Sequence, residues 1–142
     1  MNIKQALKAK NKLVAEIKEL SMLLHNNNSM EESATRRFDV NKLVEQIQET
    51  AKDLVSLKAR IHRGNVSVFE KIFMMAELKG QVKELKKLST EEGKISSRYS
   101  GTVETKSVVL TALDVRNMIK DLESQIEKIQ DELDVHNATT TI

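Results

Sequence analysis

The chain contains no cysteine, no proline and no tryptophan, and each absence removes a class of protein. Without cysteine there are no disulfides, no thiolate nucleophile and no cysteine-ligated zinc, a usage that fits a reducing cytoplasm. Without proline nothing forces a break in a helical segment. Aromatic residues make up only 3%, so the core must be aliphatic and broad stacking platforms for single-stranded nucleic acid are missing. No run approaches the roughly 20 apolar residues of a membrane-spanning helix. Met1-Asn2-Ile3-Lys4 opens into an amphipathic pattern rather than the apolar core of a signal peptide. A net charge of +2 from nearly balanced acids and bases supplies no field toward DNA or acidic lipid. These features argue against membrane and nucleic acid as partners and place the protein in the cytoplasm.

What is present is helical periodicity. Ile3, Ala6, Leu13, Ile17, Leu20 and Leu24 step by threes, fours or their sum of seven, as do Val40, Leu43, Ile47, Leu54, Leu57 and Ile61. Ile72, Met75, Leu78, Val82 and Leu85 form a looser third stripe, and Val115, Ile119, Leu122, Ile126, Ile129 and Leu133 a fourth. A repeat near 3.5 residues keeps one narrow seam turned toward a partner helix. The expected fold is mainly α: a single domain over 1–142 of long antiparallel helices, bundle- or coiled-coil-like, with a small β-hairpin before the last helix.

Local signals set the boundaries. Asn26-Asn27-Asn28-Ser29 should stop the first helix near His25, leaving 26–38 as a loop. Asp39 caps the second helix, and Gly64-Asn65 ends it. Ser67 is the expected cap of the third helix, with Glu70 in its first turn, and Gly80 within it suggests a close helix contact. Residues 94–110 alternate like strands, Ile95–Tyr99 and Thr102–Leu110, turning at Ser100-Gly101. Thr111 and Asp114 have the spacing of a capping box that launches the last helix.

Lysine and arginine are distributed differently. Lysines lie on helix faces among glutamates, whereas Arg36, Arg37, Arg60, Arg63 and Arg98 fall at helix ends or between helices. A guanidinium fork suits bidentate capture of a carboxylate or phosphate, but the same cation at a helix C-terminus caps carbonyls and answers the dipole. The densest cluster is Arg60-Ile61-His62-Arg63-Gly64-Asn65; the second is Arg98-Tyr99-Ser100-Gly101-Thr102, which sets the only tyrosine beside an arginine and small hydroxyls. His25, His62 and His136 are far apart, each near a helix end, with no metal-binding spacing. Nucleophile-elbow, phosphate-loop and dinucleotide motifs do not occur.

Three segments resemble a family. Arg60-Ile61-His62-Arg63-Gly64-Asn65 resembles the R-I-x-R-x-N element of a small bacterial family labelled septicolysin-like, and Arg98-Tyr99-Ser100 resembles its R-Y-S element before a strand. Leu133 to Ile142 is similar to its closing pattern, though the glutamine is missing and Ala138 replaces an aromatic. The resemblance implies a helical fold with a small β element. It also implies Arg60, Arg63, Asn65, Arg98, Tyr99, Asn137 and Thr139 as functional positions. The pore-forming activity in the family's label does not suit a chain with so little sheet.

The resulting expectation is a non-enzymatic homo-oligomer that needs no cofactor. It binds a small anionic, nucleotide-like ligand at arginine-bearing loops through Arg60, His62, Arg63, Asn65, Arg98, Tyr99, Ser100, Thr102, Asn137 and Thr139. The alternative is a scaffold that binds proteins through its helices, with the arginines acting only as caps.

Overall fold

The computed structural model describes residues 1–96 and 101–142. In chain order it contains α1 (Ile3–Asn28), α2 (Val40–Gly64), a 3-10 turn (Val66–Val68), α3 (Phe69–Lys87), β1 (Gly93–Ser96), β2 (Val103–Lys106) and α4 (Ala112–Thr139). The chain is thus mainly helical, with a two-stranded antiparallel hairpin before the last helix. Among the described residues no helix is long and apolar enough to cross a membrane. The residues gather into two compact units, Met1–Ser67 with Asp134–Ile142, and Val68–Leu133.

In the first unit α1 and α2 run antiparallel, since Ala6 early in α1 packs with Leu57 and Ile61 late in α2. Ile3 and Ala6 are wholly buried, and Leu7, Leu13 and Ile142 close around the cluster. The periodic stripes do point inward, but Ile17, Leu20 and Leu24 on α1 and Ile47 and Leu54 on α2 are only half-buried. One partner helix covers one flank of a seam and leaves the other flank to water.

The ends of these helices are held by side chains. Asn2 and Gln5 make a reciprocal capping box at the start of α1, and Asp39 accepts from the backbone N–H groups of Asn41 and Lys42 at the start of α2. The asparagine cluster does not stop α1 at His25, as its composition suggests; the helix continues to Asn28. Asn27 Nδ2 donates to the Leu23 carbonyl at 2.7 Å, while Arg36 Nε and Nη2 donate to the carbonyls of Asn27 and Asn28, each at 3.1 Å. Arg36 therefore satisfies the last carbonyls from outside the helix, and the asparagines need not turn.

In the second unit α3 pairs antiparallel with α4. Val68, Met75 and Leu133 are buried together, with Ile72, Ile126 and Ile129 against them. Lys71 bonds Glu132 at 2.5 Å and Lys86 bonds Glu123 at 3.7 Å, so the order along one helix reverses along the other. Both pairs are exposed, so solvent screens them and they add little to stability. The Lys71 hydrogen bond, then its charge, holds the Glu132 carboxyl below its ordinary value. Thr111 and Asp114 form the expected reciprocal box at the start of α4, at 3.0 and 3.2 Å. The Thr111 backbone N–H, and after it the hydroxyl, holds the Asp114 carboxyl low.

Three local expectations change here. Ser67 does not cap α3: it lies inside the 3-10 turn, and Val68 takes the cap position without a side-chain bond. Gly80 marks no close contact among the described residues, because a Cβ built there meets nothing within 4 Å. It still weakens α3 by about 1 kcal/mol relative to alanine. Among the described residues the strands are Gly93–Ser96 and Val103–Lys106. The first starts two residues before the expected Ile95, positions 97–99 of that expected strand lie outside the described residues, and the second covers only part of Thr102–Leu110. Gly93 pairs with Lys106, so Ser107 to Leu110 find no strand opposite them, and Val109 is 97% exposed. The expected turn at Ser100-Gly101 lies partly outside the described residues; Gly101 itself has φ +63°, which glycine adopts without strain.

Candidate functional site

The first unit is tied together where its distant segments meet. The Ile3 N–H donates to the Thr140 carbonyl at 3.1 Å, the Ile142 N–H to the Met1 carbonyl at 2.9 Å, and Asn2 Nδ2 to the Ala138 carbonyl at 3.1 Å. Asn2 and Thr141 thereby form an isolated antiparallel bridge. The end of α2 completes this clasp. A Cβ on Gly64 would lie 2.5 Å from Ile142 Cγ2 and 3.2 Å from Ile3 Cδ1, so only glycine lets the two isoleucines close over the helix end. Gly64 does not have a positive φ; it is needed here for space.

Arg60 and Arg63 stand on the last turns of α2 beside this clasp. With Gly64, Thr141 and Ile142 they line a cleft of about 370 Å³. Arg60 Nη2 donates to the Ile142 carbonyl oxygen at 2.7 Å, which spends part of its fork on the main chain. Arg63 is exposed, and its side chain has no hydrogen bond or ion pair with a described residue. The structure thus brings two of the expected arginines to one cleft, with one guanidinium anchored and the other open.

The remaining expected residues divide by role. Asn65 caps α2, its N–H donating to the carbonyls of Ile61 and His62, and its Oδ1 lies 3.3 Å from His136 Nε2. His62 is exposed on the last turn of α2. The Thr139 hydroxyl donates to the Val135 carbonyl at 2.8 Å, a bond within α4. Asn137 is half-buried and lines a separate cavity of about 440 Å³ with Lys4, Lys8, Asn11 and Asp134. Thr102 is exposed beside β2 and belongs to the second unit, outside this cleft. Arg98, Tyr99 and Ser100 lie outside the described residues.

Sequence reasoning missed several members of the clasp. Asn2 with Gln5 has a readable capping-box spacing, but nothing local shows that Asn2 also reaches Ala138. His136 does more than answer a dipole: its ring sits between Asn65 and Thr140, with Nδ1 3.1 Å from the Thr140 hydroxyl. Thr141 and Ile142 carry no signal of their own, because pairing across the length of a chain leaves no periodic trace. Neither carboxyl group whose titration is displaced, Asp114 or Glu132, belongs to this cleft. No family model, no curated protein and no solved structure matches the chain.

Proposed function

We propose that the protein is a non-enzymatic, homo-oligomeric helical binding protein whose cleft at the end of α2 takes a small anionic, phosphate-bearing ligand. One observation carries this reading: Arg63, whose guanidinium is open, lines the same cleft as the anchored Arg60, together with Thr141. A fixed cation and an adjustable one suit a charged group of two or three oxygens. The resemblance at Arg60 to Asn65 falls on the same residues. A half-covered apolar seam in each described helix pair supports assembly with further copies.

A second reading has its own support. Arg36 and Arg60 both donate to main-chain carbonyls, which is what arginines do in a scaffold that binds only through its helices. The negative end of the α2 dipole also favours the cations more than an anion beside them. Calorimetry with inorganic pyrophosphate and nucleoside phosphates separates the two. The ligand reading expects saturable binding that Arg63→Ala weakens at least tenfold, since a charge-assisted bond contributes about 1.5–3 kcal/mol. Folding should be unchanged. Absence of binding, or binding indifferent to Arg63→Ala, leaves the scaffold.

A further inference from the structure

Gly80 lies in the middle of α3, where it needs neither a left-handed backbone nor room for a neighbour among the described residues. It opens instead onto a groove of about 730 Å³ between α3 and α4. Leu85, Met118 and Leu122 supply the apolar side of the groove, with Met118 40% exposed. Glu77 and Lys83 stand on its rim, three residues before and three after the glycine. Phe73, 64% exposed, lies two turns earlier on the Gly80 side of the helix.

We propose that this groove is the seat of α3 from a second copy of the chain, crossing antiparallel at Gly80. The inference rests on the homo-oligomer reading above and names its surface. Two helices approach most closely where a side chain is small or missing, and Gly80 is the place on this face without one. The charges select the occupant. In a two-fold antiparallel pairing about Gly80, Glu77 faces Lys83 of the second copy and Lys83 faces its Glu77, so one surface complements itself. Phe73 comes opposite Lys87 of the second copy, because both stand seven residues from the crossing. The Lys87 stem covers the exposed ring, and its ammonium faces the ring's negative face. A parallel pairing would set Glu77 against Glu77 and Lys83 against Lys83.

Sedimentation velocity on the full chain tests the crossing. Gly80→Leu should raise the dimer dissociation constant at least tenfold, and because leucine favours the helix, circular dichroism should show no loss of α3. Glu77→Lys and Lys83→Glu should each weaken association, and the double variant should restore it to near the wild-type value. A dimer that Gly80→Leu leaves as tight as wild type, or a double variant no better than the singles, overturns this interface while the homo-oligomer reading stands. A wild-type chain that stays monomeric at every concentration overturns both.

Discussion

Two glycines within helices here have opposite reasons to exist, and alanine distinguishes them. At Gly64 a new Cβ would sit 2.5 Å from Ile142 and force the clasp apart. Overpacking of this kind costs about 1–3 kcal/mol, more than the helix gains at its final residue. At Gly80 the space is open, so alanine recovers about 1 kcal/mol of helix propensity. Urea denaturation at concentrations low enough to hold the chain monomeric should therefore show Gly64→Ala less stable and Gly80→Ala more stable than wild type. Equal effects at both positions would mean that the approach of Ile3 and Ile142 does not constrain Gly64.

At the scale of elements, the helix ends divide what the chain shows openly from what it hides. Asp39, Asn65 and the Thr111–Asp114 box act where their spacing says they should, because each works through neighbours within four residues. Asn26 to Asn28 mislead because the group that satisfies the last carbonyls of the helix is Arg36, across a loop. Arg36→Ala should fray the last turn of α1 and cost about 1 kcal/mol, seen as faster amide exchange at residues 26–28 and not at the start of the helix. The α4 box gives a pH signature. The Asp114 carboxyl titrates below its ordinary value of 3.8 because the folded state binds its ionised form. Its contribution is complete above that value and disappears as the pH falls through the lower native one. Amide shifts of Thr111 to Val115 followed by NMR should move in that acid window, and Asp114→Asn should remove the transition. The candidate site was legible to the same extent: Arg60, Arg63 and Asn65 stand out as a cluster. The cleft itself depends on Thr141 and Ile142, which only the closed chain brings to them.

For the whole molecule, apolar patterning exceeds what one copy covers. The stripes place Ala6, Leu43, Leu57 and Ile61 in the interior of the first unit, yet Leu54 and Ile47 on the same face of α2 keep part of their surface in water. Aromatic side chains, which bury the most area per residue, are too few to close the gap. In the proposed homo-oligomer further copies cover these seams, and assembly makes stability depend on concentration. The melting temperature should rise as the protein is concentrated from the micromolar range upward, with light scattering giving a mass above the 16.1 kDa of one chain. Leu54→Asp sets a carboxylate into that half-covered seam, where losing its water without a partner costs several kcal/mol. The variant should retain its helices, melt lower and lose the concentration dependence. A wild-type melting temperature that stays constant over a hundredfold range would instead mean that the exposed flanks of the seams are simply solvated.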